Sequence, residues 1–441
     1  MPKIRFIHTA DIHLGSLLRI AGASAPSQVE EAVFKAVPAA FRRVCRWARR
    51  LKVDFMVISG DLYDREARSV QAQDLFVQEC RRLQEENIDV FLIAGNHDPL
   101  RDKQQLLALP SNVKVFGSGG PQVHEVFDEK RGLAAKIVGQ SYQGRAETRK
   151  IHLDYVLEKG PFWNIALLHT QLEPGSSNYV PCSLSELKEK EQIHYWALGH
   201  VHQQRIISDV FPFIAYPGTP QGRHFNEEGQ KGCLLAELGG REESALTFLP
   251  TSAVIYERRE IFLDQDPKNI PETLQEIEGI ISEEGRRLLE EAQKKEEPPQ
   301  GFVLEWVLRG RIPLQASIRE QKQEVEELIA KNLRNKFGSR EPFLWTDSVA
   351  LRIQSPLDLG SLFANSEVAQ ELEAVVQQCI QDEAVQAGLR AKLGEIWSGR
   401  EEHEDLEEGE DFLFHLDQNS LQELLKRARV LILEELAEGR E

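Results

Sequence analysis

No apolar stretch in this chain approaches the roughly 20 residues that a helical membrane span requires, so the sequence argues against a membrane protein. The first residues, Met1-Pro2-Lys3-Ile4-Arg5-Phe6-Ile7-His8, run straight into a strand-like stretch and lack the three-zone layout of a signal peptide. Cysteine is sparse. The five present (Cys45, Cys80, Cys182, Cys233 and Cys379) are odd in number, widely spaced and form no Cys-x-x-Cys pair. They read as reduced thiols, mostly in the core, which fits a cytoplasmic protein rather than a disulfide framework. No internal repeat is found.

What is present is an ordinary globular composition: 441 residues, 41% apolar and 28% charged, enough for two or three domains with a full core. The net charge of −18 seems hostile to nucleic acid until its distribution is considered. Residues 1–250 hold 30 basic and 30 acidic side chains, so the whole acidic excess lies in 251–441. Pooled charge therefore says little about what the N-terminal part binds.

Residues 1–250 alternate apolar runs with helix-like stretches, which predicts α/β layering. Strands are expected at Ile4–Thr9, Phe55–Ser59 and Val90–Ala94, with helices over Gln28 to about Lys52 and Ser69–Glu86 between them. Val113–Phe116, Gln122–Phe127 and Ala135–Val138 resemble short strands of an antiparallel sheet. Further strands follow at Asn164–Leu168, Tyr195–Leu198, Phe213–Tyr216, 232–238 and 245–249. From about 252 the order changes to strand (Val254–Leu263), acidic helix (Pro271–Lys295), strand (Phe302–Leu308), helix (Ser317–Phe337) and strand (Ser348–Ile353), a small α+β domain. Residues beyond about 360 read as helical. They include an acidic loop, Glu401–Asp411, and a last helix near Asn419–Glu438 with a stripe of Leu421, Leu424, Leu425, Ala428, Leu431, Ile432 and Leu436. The expected divisions are 1–252, 253–358 and an acidic helical region, 359–441.

Five strand ends in the first domain carry metal-type ligands: Asp11 and His13, Asp61, Asn96 and His97, His169, and His200 and His202. In layered α/β folds such ends gather along one sheet edge. Residues i and i+2 of an extended chain point the same way, so the Asp-x-His and His-x-His pairs are each expected to converge. Imidazole, carboxylate and one amide oxygen suit Mn, Fe or Zn better than Ca or Mg. Asp11, His13, Asp61, Asn96, His169, His200 and His202 make seven ligands, too many for one ion with an open position but suitable for two ions sharing a carboxylate. Such a pair activates a bridging water for displacement at phosphorus. His97 is then the surplus histidine, placed to bind a phosphate oxygen or to protonate the leaving oxygen. Asp98 is expected either to hold the His97 ring or to cap a helix.

The ordered set Asp11-x-His13, Gly60-Asp61-x-x-Asp64, Gly95-Asn96-His97-Asp98, His169 and Gly199-His200-x-His202 resembles the calcineurin-like metallophosphoesterases. His8-Thr9-Ala10-Asp11-Ile12-His13-Leu14-Gly15 is similar to the start of the SbcD-type DNA repair exonucleases. Tyr216-Pro217-Gly218-Thr219-Pro220-Gln221-Gly222-Arg223 resembles a later loop of that family, and the likeness is closest to its bacterial YhaO-like branch. The resemblance implies a four-layered αββα phosphoesterase domain followed by a capping domain and a helical C-terminal region. It implies two Mn ions, with Asp11, His13 and His202 on one, Asn96, His169 and His200 on the other, and Asp61 bridging. It further implies a 3′→5′ exonuclease with single-strand endonuclease action on DNA. Its partner would be an SbcC-type coiled-coil ATPase, held by the C-terminal helices, and the protein would form a homodimer.

Other candidates read more plainly. His8, His124, His152, His194, His403 and His415 lack partner spacing and are expected at the surface or satisfied in the core. His224 lies near a motif loop and could meet substrate. The helical cluster Arg42, Arg43, Arg46, Arg49 and Arg50 is expected as a solvated face, with DNA phosphates as the alternative.

Overall fold

The computed structural model describes residues 1–20, 25–64, 69–100, 106–128, 132–172, 178–240, 243–356 and 366–393, with parts of 422–433. They fall into two compact units. The first comprises Met1–Phe262, Thr273–Arg309 and Gln321–Arg352; the second comprises Leu263–Glu272, Gly310–Glu320 and Ile353–Glu441.

The first unit is built on two six-stranded sheets. One has the order β12-β11-β1-β2-β3-β4, from β1 (Ile4–Thr9), β2 (Phe55–Ser59), β3 (Asp89–Ile93), β4 (Val113–Val115), β11 (Gly232–Leu238) and β12 (Ala245–Pro250). The other has the order β5-β6-β7-β8-β10-β9, from β5 (Gln122–Asp128), β6 (Gly132–Gly139), β7 (Trp163–His169), β8 (Tyr195–Gly199), β9 (Arg205–Ser208) and β10 (Phe213–Tyr216). β1 through β4 run parallel, as do β6, β7, β8 and β10. Both faces of these strands are covered, which is why they read as unbroken apolar runs.

The alternation of side chains builds the layers. Phe6, Phe55, Val57, Phe91 and Ile93 from the first sheet meet Ile165, Leu167, Tyr195 and Ala197 from the second in one buried cluster. The intervening Ile7, Met56, Ile58, Val90 and Leu92 face outward onto the helices α1 (Ser27–Phe34), α2 (Ala36–Arg50) and α3 (Val70–Gln84). Ala166, Leu168, Trp196 and Leu198 cover the far face of the second sheet with Tyr142, Ile151, Tyr155 and Leu187. The architecture is thus the expected layered α/β arrangement, although short turns of helix, Ile151–Asp154 and Leu184–Lys188, form the second outer layer.

Three details differ from expectation, the first being that Arg205–Ser208, not expected as a strand, forms β9 at the edge of the second sheet. The helix over 28–52 is two helices broken at Lys35, because Pro38 has no N–H to give the Phe34 carbonyl. Val113–Val115 pairs in parallel with β3 in the first sheet and so does not join the antiparallel hairpin of β5 and β6.

Residues from 254 add a three-stranded sheet, β13 (Val254–Phe262), β14 (Gly301–Arg311) and β15 (Phe343–Gln354), with β13 and β14 parallel. Helices Leu274–Gln293 and Lys322–Phe337 alternate with these strands; Thr273 and Glu276 form a capping box at the start of the former. The arginine cluster on α2 is a largely solvated face, as expected at Arg42, Arg46 and Arg50, with Arg43 as the buried exception. Arg43 is buried and donates to the carbonyls of Ser252 and Pro298 at 2.6 and 2.7 Å. Arg46 pairs with Glu297 at 2.8 Å and Arg50 with Glu296. These cations hold the connection that leads into β14.

In the second unit, helices Glu367–Gln381 and Glu383–Leu393 follow, and Arg429 pairs with Glu373 at 2.6 Å. The acidic loop 401–411 lies outside the described residues, as do Leu421, Leu431 and Leu436 of the apolar stripe. Among the described residues, all five cysteines are free and no helix is long and apolar enough to cross a membrane.

Candidate metal centre

The carboxyl ends of β1, β2 and β3 meet those of β7 and β8 at one edge of the stacked sheets. Buried His8 helps to join them: its ring nitrogens lie 2.9 Å from the Tyr195 hydroxyl and 3.1 Å from the Leu198 carbonyl. It is a satisfied core histidine, as expected.

All eight sequence-derived candidates come together at this edge. Asp11, His13 and His202 place ligand atoms within 4.8 Å of one another, as do Asp11, Asp61 and His169. The Nε2 atoms of His13 and His202 face each other at 3.2 Å, with Asp11 Oδ1 3.9 Å from His202. On the other side, Asn96 Oδ1 lies 2.9 Å from His169 Nε2 and 3.2 Å from His200 Nδ1. Asp61 sits between the groups, with Oδ2 3.5 Å from His169 and Oδ1 accepting the His97 backbone N–H at 2.9 Å. His97 also approaches His13 and Asp61 within the same 4.8 Å limit.

The convergence does not come from extended chain. Asp11, His13, Asp61 and His200 have φ of 50, 52, 50 and 97°, four of the seven non-glycine residues with positive φ among those described. Each such conformation costs on the order of 1–3 kcal/mol, and it persists where the surroundings over-determine it. Backbone bonds Asp11 N–H to Gly60 and His13 N–H to Asp61, both 3.0 Å, hold the first two. The His200 N–H donates to both Asp11 carboxylate oxygens at 3.0 Å. Two glycines leave the necessary space: a Cβ at Gly60 would overlap the His169 ring, and one at Gly95 would overlap the Asp61 carboxylate.

Protonation suits ligation at His13 and His200, whereas at His169 burial is outweighed by Asp61, which holds the ring up at about 9. Burial drives His13 and His200 down to about 3, so both are neutral with a lone pair available. Burial raises Asp11 to about 6, against the pull of His202 and His169. Asp61 is also pushed up by burial, but the His169 charge and hydrogen bond outweigh this and hold it far below the carboxylate range. His169 Nδ1 bonds the Ser59 carbonyl at 2.9 Å, which turns Nε2 toward Asn96 and Asp61. Buried His13 Nδ1 has no hydrogen-bond partner. Facing imidazole nitrogens beside buried carboxylates fit divalent transition ions, and these His/Asp clusters suggest a dinuclear site.

Three further carboxylates support the site: Glu227 lay outside the sequence motifs, whereas Asp64 and Asp98 stood in them without these contacts being foreseen. Glu227 accepts from His202 Nδ1 at 2.6 Å and from Arg223 at 2.9 Å, leaving His202 Nε2 free as a ligand. Asp64 lies 3.5 Å from His97 Nδ1 and is itself bonded by Ser16 Oγ at 2.5 Å. Asp98 neither holds the His97 ring nor caps a helix; it accepts from the N–H groups of Leu62, Tyr63 and Gly95 at 2.9, 3.2 and 2.8 Å, tying the β2 and β3 loops together. His224 is half exposed and lies 3.9 Å from Glu227. Glu227→Gln is expected to weaken metal binding by about 10- to 100-fold, because it removes the charge that orients His202. A metal titration with unchanged affinity would refute that role.

Residues 4–204 match the calcineurin-like phosphoesterase family. The chain is 28% identical to the metallophosphoesterase YhaO of Bacillus subtilis, over 99% of this chain and 98% of that protein. It is 28% identical to the DNA double-strand break repair protein Mre11 of Methanopyrus kandleri, over 51% of this chain and 50% of the relative. Among solved structures, a dimetal phosphatase from Danio rerio aligns at 14% identity and a TM-score of 0.34, covering 56% of this chain and 99% of that one.

Proposed function

We propose that this chain, whose residues 4–204 match the calcineurin-like phosphoesterases, is a two-metal phosphodiesterase acting on DNA. The reading is a Mn-dependent 3′→5′ exonuclease with single-strand endonuclease action in double-strand-break repair. The family itself implies a hydrolase of phosphoesters. The observation that carries the finer reading is the convergence of the complete donor set at one sheet edge, in a chain similar to an Mre11 repair protein over about half its length.

On this reading Asp11, His13 and His202 would hold one ion and Asn96, His169 and His200 the other, with Asp61 available to both. When bound, such a pair supplies an activated water and charge neutralisation for in-line displacement at phosphorus. The chain's own residues do the remaining work. Glu227 and Ser59 set the tautomers of His202 and His169, and buried Asp11 and Asp61 supply the negative charge. Asp64 faces His97 Nδ1 and raises its pKa above the ordinary value, which favours the protonated ring that would deliver a proton from Nε2 to the leaving oxygen. Residues 253–358 cap the cleft, and the region from 359 binds an SbcC-type coiled-coil ATPase in a cytoplasmic, homodimeric complex. Acidic helices suit a protein partner better than DNA.

The test compares nucleotide release from labelled duplex, single-stranded and hairpin DNA in Mn and in Mg with hydrolysis of bis-p-nitrophenyl phosphate. Mn-dependent release is expected. Cleavage of the small ester with intact DNA would replace the nuclease by a small-molecule phosphodiesterase. Inactivity on every substrate with metal supplied would leave an assembly subunit.

A further inference from the structure

We propose that His152, Cys182 and Glu186 form a separate cation site of zinc class on the outer face of the second sheet, sharing no residue with the dinuclear centre. A nitrogen, the sulfur and a carboxylate oxygen of these side chains lie within 4.8 Å of one another. His152 belongs to the short helical turn Ile151–Asp154, while Cys182 and Glu186 flank the start of the helix Leu184–Lys188.

The independent sign is the state of His152. The residue is fully buried; its Nδ1 has no hydrogen-bond partner, and Nε2 makes only a long contact of 3.4 Å with Glu186 Oε2. Buried polar groups are normally satisfied, so a fully buried imidazole so poorly bonded calls for a ligand. Burial holds its pKa below the ordinary value, which leaves a lone pair available for a cation.

The other two donors are positioned to complete the set. Glu186 is fixed by Lys150 Nζ on Oε1 at 2.6 Å and by the Ser183 N–H on Oε2 at 2.9 Å. The Lys150 contact holds the carboxyl at about 2, so it is ionised. Cys182 is buried and its thiol is pushed up to about 12, and its one hydrogen bond is a long contact of 3.6 Å to the Ser183 carbonyl. A bound cation would take the thiolate, with the thiol proton released to solvent, and Lys150 would offset the added negative charge. Sulfur with imidazole and carboxylate selects zinc-class ions over Ca or Mg, and three protein ligands leave a fourth position for water. The site would pin the 151–154 turn to the 184–188 helix, both of which cover the sheet that presents His169 and His200.

Cobalt(II) added to the full-length protein tests this without reference to activity. None of the seven ligands of the dinuclear centre is a cysteine, so a near-ultraviolet thiolate-to-cobalt band cannot come from that centre, and Cys182→Ser separates this site from the other four free cysteines. The band is expected in the wild type, and Cys182→Ser is expected to abolish it and lower bound cobalt by one ion per chain. His152→Ala, which keeps the thiol, should do the same. Zinc should raise the Tm of the wild type more than that of His152→Ala, a comparison that stands even if Cys182→Ser does not fold. A wild type without the band, or a band unaltered in Cys182→Ser, overturns the proposal.

Discussion

Replacing His97 with alanine is expected to lower phosphodiester hydrolysis by about 10²- to 10⁴-fold while both ions stay bound, the loss associated with removing a general acid. The side chain lies beside Asp61 and His13, near enough to ligate, so metal content decides its role. Unchanged occupancy in His97→Ala supports proton delivery; loss of an ion makes His97 a ligand instead. The pH dependence gives an independent check. Because the imidazolium is the active form, kcat/KM should fall as pH rises through the His97 pKa. Asp64 is the first cause of that raised pKa, so Asp64→Asn should move the falling limb to lower pH. A limb that stays in place would separate Asp64 from the acid.

His200→Ala is expected to have a comparably large effect for a different reason: loss of one ion, and hydrolysis with it. His200 Nδ1 and His169 Nε2 both approach Asn96 Oδ1, so removing one imidazole leaves two of the three ligands proposed for that ion. The loop should survive, because the His200 backbone N–H, which remains, makes the bonds to Asp11. Metal analysis of the purified variants distinguishes the two histidines. Equal occupancy in His97→Ala and His200→Ala would refute the division of roles.

The two histidines also show how unevenly the sequence disclosed the site. Asn96 and His97 could be found because Val90-Phe91-Leu92-Ile93 is buried on both faces and the chain turns polar where the strand leaves the core. The same logic located Asp11, Asp61, His169 and His200 and ordered the layers. It failed for the local geometry: Asp11 and His13 converge through left-handed backbone rather than through the i, i+2 register of a strand. It also missed the ion pairs and the buried Arg43 on the otherwise solvated α2 face, because Glu297 lies 251 positions along the chain from Arg46.

What the sequence determined by itself is therefore every strand of the two large sheets except the exposed edge strand β9, their order of polar ends and the chemical identity of the donors, since these depend on local apolar pattern and residue type. The tertiary structure alone decided which groups orient those donors. Glu227 on His202, Asp64 beside His97 and Asp98 across two loops are contacts between segments separated by 25, 33 and, for Leu62 to Asp98, 36 positions. No short-range period encodes such pairs; they exist only once two sheets have stacked and brought their ends together.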